Sequence, residues 1–155
     1  MNSRIHTLLL SADVRGSWEY PPDFNWESSV REIEKHKGAL ENIMSAELEL
    51  DANAQDASFF ADIYQLETSY AASGAPQAVI YHFALRFSNY GRLFTLLNES
   101  ACDNVEQRQL QSCIAYLEAQ GYVYIPVSEL DCPYDGVNAG EISPITWWTR
   151  YFDYL

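Results

Sequence analysis

Between Val79 and Phe87 the chain alternates without interruption. Val79, Tyr81, Phe83, Leu85 and Phe87 fall on one side, and Ile80, His82, Ala84 and Arg86 on the other. Side chains that repeat every second residue belong to a β-strand, so this stretch commits the middle of the chain to a sheet. Ser88-Asn89-Tyr90-Gly91 and an apolar return, Leu93 to Leu97, follow it. That pattern predicts a bulged hairpin, a type I turn carrying Gly91 in the left-handed region. Upstream, Phe59 to Glu67 is a second aromatic-rich strand, broken by Gly74-Ala75-Pro76. Ser45 to Leu50 alternates Ala46, Leu48 and Leu50 against Glu47 and Glu49, as a strand with one wet face does. Connections this short cannot make parallel crossovers, so the strands from Ser45 to Leu97 are expected as an antiparallel meander.

Helices flank it. From Asn25 or Ser28, Val30, Ile33, Lys37, Leu40 and Met44 recur at spacings of three and four, and Gly38 suggests an end near Asn42. Asp103 stands three residues before Glu106, a capping box in which each side chain satisfies a free backbone N–H. Leu110, Cys113, Ile114 and Leu117 continue that helix, expected over Asn104 to Gln120, and Gly121 sits where a left-handed C-cap would. Ile5 to Leu10 reads as a first strand, although its unbroken apolar run suits a buried helix turn nearly as well. Tyr122 to Val127 reads as a further strand and Asp131 to Gly140 as a turn-rich loop. Ser143-Pro144 resembles an N-cap with proline at the first helical position. Behind it Trp147, Trp148, Tyr151, Phe152 and Leu155 form an apolar stripe at helical spacing. The expectation is one α+β domain over residues 1–155, an antiparallel β-meander of about four to six strands packed by two or three helices.

Charge narrows the functions. Twenty-two Asp and Glu against nine Lys and Arg give a net charge of −13. A field of that sign repels nucleic-acid phosphates and anionic lipid surfaces and suits a basic partner or simple solubility. Cys102, Cys113 and Cys132 form no CxxC pair. With the odd count and no leader-like N-terminus, they argue against a disulfide framework, so the cytoplasm is the expected compartment.

Familiar catalytic motifs are missing: neither GxGxxG, GxxxxGK[ST] nor GxSxG occurs. His6, His36 and His82 are far apart and in no metal-binding spacing, so no metal site and no cofactor are expected. Asp131 and Asp135 flank a turn without the oxygen-ligand pattern of a calcium loop. The acids around Cys132 raise a thiol pKa, against a nucleophile. His82 and Arg86, on the weaker face of the best strand, are the ligand-binding candidates together with Tyr64 and Tyr81, should a cleft bring imidazole and guanidinium together. Trp147, Trp148 and Tyr151 are the partner-binding candidates if part of the terminal stripe lies outside the core. The leading expectation is a non-enzymatic acidic domain that binds a protein partner, in its narrowest form an immunity- or antitoxin-like inhibitor of a basic protein. A homo-oligomer is compatible with it. The alternative is a small-molecule-binding domain or enzyme with a pocket between sheet and helices.

Overall fold

A computed structural model describes residues 1–70, 76–141 and 145–154, with the side chains of residues 67–80 outside the description. Gly74-Ala75, Ser143-Pro144, Leu155 and the side chains of Val79 and Ile80, on which some expectations rest, lie outside the described residues. The chain is α+β. Five strands, β1 (Glu49–Asp51), β2 (Phe59–Tyr70), β3 (Pro76–Ser88), β4 (Leu93–Leu97) and β5 (Val123–Tyr124), lie side by side in sequence order. The first four pair antiparallel, as the short connections require. β5 pairs parallel with β4 after the long connection through α3 (Asn104–Ala119). The sheet stays open. Four further helices surround it: α1 (Ser3–Ala12), α2 (Trp26–Met44), α4 (Val127–Leu130) and α5 (Trp147–Phe152). Among the described residues no helix is long and apolar enough to cross a membrane.

Local chemistry explains most of the boundaries. In α2 the Asn25 side chain accepts from the backbone N–H of Ser28 at 2.9 Å, and the helix runs through Gly38 to Ser45, whose φ of +53° ends it. The residues after it do not extend the sheet as far back as Ser45. Glu41 accepts from the N–H of Leu48 at 3.1 Å through its carboxylate and from that of Ala46 at 3.3 Å through its carbonyl, so they close the helix and pairing begins only at Glu49. The capping box of α3 forms with both halves in place: Asp103 Oδ1 accepts from Val105 and Glu106, and Glu106 Oε2 accepts from Asp103.

Three expectations are corrected. Ile5 to Leu10 is helix and not strand. Asn2 caps it by accepting from Arg4 N at 2.8 Å, and Ile5, Leu8, Leu9 and Ala12 supply one apolar face at helical spacing. Tyr122 to Val127 contributes only Val123 and Tyr124 to the sheet before α4 begins, Pro126 serving as its N-cap. At the β3–β4 hairpin both Gly91 (φ +58°) and Arg92 (φ +54°) are left-handed, the combination a type I′ turn needs, in place of a type I turn with glycine alone. Gly91 is also required for space, since an added Cβ would stand 3.0 Å from Ala12 Cβ. Arg92 holds its strained position with a 2.7 Å bond to Glu32, a 3.0 Å bond to the carbonyl of Gln120 and its guanidinium over the Tyr122 ring.

Two apolar clusters divide the interior. On one face of the sheet α2 (Ile33, Leu40, Met44) and α3 (Leu110, Cys113, Ile114, Leu117) bury Ile63, Phe83, Leu85, Phe87, Phe94 and Leu96. Each such side chain stabilises the fold by roughly 1.5–3 kcal/mol. On the other face, toward β4 and β5, α1, α4 and α5 enclose Leu93, Tyr90, Ile125, Tyr134, Trp147 and Tyr151. This second cluster carries an ion pair at its centre. Arg150 and Asp13 are both fully enclosed, with Arg150 Nε donating to Asp13 Oδ1 at 2.8 Å. The helices of the second cluster cover β4, β5 and the Arg86 end of β3 on their face, and the site lies beside them along β1, β2 and β3.

Candidate functional site

A bulge in β3 decides which side chains share that uncovered face. Gln65 pairs with Phe83 but Leu66 pairs with Tyr81, so the β2–β3 register skips His82. Beyond a bulge the alternation reverses. Tyr81 therefore joins Ala84 and Arg86 along the open face, where all three line one cleft. His82 instead faces α3, its Nε2 3.0 Å from Glu106 Oε1. Of the ligand-binding candidates, Tyr64, Tyr81 and Arg86 share a face and His82 is parted from them. Imidazole and guanidinium do not converge.

The cleft holds about 520 Å³ and is walled by Asp51, Phe59, Asp62, Tyr81, Arg86 and Tyr154. Arg86 is fully engaged in it. Its Nε and Nη2 grip the two oxygens of Asp62 at 3.0 and 2.9 Å, Nη1 donates to the carbonyl of Phe152 at 2.9 Å, and Phe59 lies 3.8 Å beneath its guanidinium. Asp62 stands directly opposite Asp51 in the β1–β2 ladder. Burial, with Asp51 adding to it, holds the Asp62 carboxyl above the usual range against the pull of Arg86. Tyr64 donates to Glu49 at 3.3 Å and packs edge-on against Tyr81 with ring centres 4.8 Å apart.

A second cleft of about 530 Å³ adjoins the first, sharing Ala54 and Phe59 with it. Glu19, Tyr20, Phe24, Trp26, Asp56 and Asn89 line it. The Asn89 amide is fixed, its Nδ2 donating to the carbonyls of Glu19 at 2.7 Å and Ala57 at 3.0 Å; its enclosed Oδ1 meets no donor among the described residues. The strongly exposed aromatic side chains among the described residues are Tyr20 (54%), Trp26 (46%), Tyr81 (50%) and Tyr154 (59%). All four border these two clefts. Four carboxylates, Glu19, Asp51, Asp56 and Asp62, line the same trough against the single guanidinium of Arg86.

The partner-binding candidates lie elsewhere. Trp147 and Tyr151 have no exposed surface and stack on each other at 5.7 Å in the second cluster. Trp148 is half-buried and stacked on Phe152, 5.8 Å from the Arg86 guanidinium. Asp135 holds His6 at 2.9 Å, which lowers its pKa. Cys113 is sealed in the first cluster, where burial pushes its thiol up to about 12. Among the described residues, the group capable of holding a metal is His82, Cys102 and Glu106, whose ligand atoms lie within 4.8 Å of one another.

Tyr20, Trp26 and Tyr154 were invisible as site residues because sequence does not separate an exposed aromatic from a core one. Tyr20 follows the helix-breaking segment at Gly16 and precedes Pro21-Pro22, the one local signal that its ring sits on a loop. No protein-family model, no curated protein and no solved structure matches this chain.

Proposed function

We propose that this chain is an acidic protein-binding domain whose partner lays a Lys- or Arg-bearing segment along the two joined clefts. The observation that carries the reading is the gathering of all four exposed aromatics of the described residues onto one carboxylate-lined trough. A guanidinium or ammonium stacked on Trp26 or Tyr20 gains about 0.5–2 kcal/mol from the ring face, and its methylene stem covers apolar surface that otherwise meets water. Glu19 and Asp56 flank that position. A net charge of −13 steers such a partner from a distance and rejects acidic ones. In its narrower form the domain is an inhibitor of the immunity or antitoxin kind, covering the basic working surface of another protein.

A small-molecule site in the first cleft is the second reading, favoured by a volume of about 520 Å³, within the range of ligand pockets. Arg86 is saturated and His82 turned away, so the cleft has no imidazole–guanidinium pair.

The test is a calorimetric titration with Arg/Lys-rich, neutral and acidic peptides of equal length at several salt concentrations. Basic peptides are expected to bind, with affinity falling as salt rises, and Trp26→Ala should weaken them at least about tenfold, the loss of one aromatic anchor. Equal binding of basic and acidic peptides, or an unchanged affinity in Trp26→Ala and Tyr20→Ala, overturns the reading.

A further inference from the structure

Away from the trough, on the α3 side of the sheet, an imidazole from β3 meets a thiol and a carboxylate from the start of α3. His82 reaches there because the β3 bulge turns it from the open face. Cys102 is the residue before the N-cap of α3, and Glu106 sits in the first turn of that helix. A ring nitrogen of His82, the Cys102 Sγ and a Glu106 carboxylate oxygen lie within 4.8 Å of one another. We propose that His82, Cys102 and Glu106 are the protein ligands of a Zn²⁺-class metal ion.

The donor set points to that class. Nitrogen, sulfur and oxygen together suit a borderline ion, whereas calcium and magnesium take oxygen donors. Tetrahedral coordination with metal–ligand distances of about 2.0–2.3 Å puts neighbouring donors roughly 3.3–3.8 Å apart, so closure on an ion draws the longest separation in by about an ångström. His82 Nε2 and Glu106 Oε1 stand at 3.0 Å already. Glu106 is held from behind, because its Oε2 accepts the backbone N–H of Asp103 at 2.8 Å and leaves Oε1 directed at the imidazole. Glu99 and Asp103 add negative field around the thiol. Metal binding displaces the Cys102 proton to solvent, giving a thiolate. Three protein ligands leave a fourth position for water or for a side chain of a bound partner. The site is built from residues outside the trough and stands whether or not a basic partner binds there.

The experiment uses the full chain, stripped with chelator under reducing conditions and titrated with Co²⁺ as a spectroscopic probe and Zn²⁺ as competitor. A saturable, stoichiometric thiolate-to-cobalt charge-transfer band is expected, with the intense visible bands of a four-coordinate ion, both erased by Zn²⁺. Cys102→Ser should remove the charge-transfer band, while Cys113→Ser and Cys132→Ser keep it. His82→Gln leaves the core untouched and should weaken cobalt binding at least about tenfold. Zn²⁺ should raise the melting temperature of the unmodified chain, which guards against a variant that fails to fold. Absence of the band in the unmodified chain, its survival in Cys102→Ser, or unaltered affinity in His82→Gln overturns the proposal.

Discussion

Replacing Asp13 by alanine should be among the most damaging single changes in this molecule. The carboxylate ties the first helix to the last third of the chain. Arg150 Nε reaches its Oδ1 at 2.8 Å, Tyr134 Oη and the backbone N–H of Val137 (2.8 Å) donate to its Oδ2, and Asn138 Nδ2 lies 3.4 Å from Oδ1. The loop backbone comes this near only because residue 136 is glycine, where an added Cβ would collide with Asp13 Oδ2 and the Tyr134 ring. Without Asp13 the guanidinium of Arg150 keeps the carbonyl of Trp18 and the faces of Tyr90 and Tyr151, but no counter-charge. An uncompensated buried charge costs about 3–5 kcal/mol, and leaving the Tyr134 hydroxyl and Val137 N–H unmatched adds about 1–3 kcal/mol. Relaxation and entering water return part of this, so a net loss of about 5 kcal/mol is expected. In a domain of this length that lowers the melting temperature by roughly 10–20 °C.

Guanidinium denaturation followed in parallel by tryptophan fluorescence and far-UV circular dichroism measures the loss, and coincident transitions license the two-state treatment. The informative partner is Asp13→Ala combined with Arg150→Met, which removes both charges and keeps the long side chain's volume. The pair should recover about 2–4 kcal/mol relative to Asp13→Ala alone, because no orphaned charge remains inside. An Asp13→Ala variant within about 1 kcal/mol of the parent, or a double variant as weak as the two single losses added together, refutes the reasoning.

Two smaller perturbations test other parts of the fold. Gly38 lies exposed inside α2 with nothing within 4 Å of an added Cβ. Gly38→Ala should therefore stabilise by about 0.5–1 kcal/mol, seen as a higher denaturation midpoint at unchanged slope. His36 is packed between Tyr116, whose hydroxyl is 3.0 Å from its Nδ1, and Tyr122. Burial, helped by Arg92 and Lys35 and opposed by Glu32, holds its pKa below the ordinary 6.5. The unfolded chain thus takes up this proton first, so stability falls as pH drops through 6.5 and levels off once pH passes below the folded value. His36→Gln should flatten that segment of a stability–pH curve; an unchanged segment removes His36 as its source.

What was legible in the sequence was whatever is decided within a few residues. The capping box of α3 depends on Asp103 and Glu106 alone, and the meander depends on alternation and on connections too short to cross over. The first helix reads as a strand because a run of six residues with Ile5, Leu8, Leu9 and Leu10 suits a strand and a buried helix turn nearly alike. The decision came from Asn2 and from partners in α5 and Tyr134, more than a hundred residues away. The bulge at His82 is another non-local choice. The run from Val79 to Phe87 alternates perfectly, and only pairing with β2 reveals that one residue is skipped. That single slip separated two site candidates and placed His82 beside Cys102 and Glu106. The trough was hidden for the same reason, since its rings come from the loop before α2, the start of α2, β3 and the last residues of the chain.

The trough also holds the features that stability alone explains worst. Like charges opposite each other in a ladder are destabilising, yet Asp51 faces Asp62, and burial adds to the cost at Asp62. Arg86 offsets one of the two carboxylates and is then spent. Four aromatic rings stand in water around the trough. Each feature weakens the free domain, and each is relieved by the same kind of visitor. A cation satisfies the second carboxylate, and an alkyl or guanidinium stem dries the rings. Local departures from consistency that share one remedy are what a binding surface looks like from the side of the unbound protein. On the proposed function, the remedy is a basic side chain. Asp51→Asn follows as the sharpest separation of the two pressures: it should make the free domain more stable and weaken its hold on basic peptides.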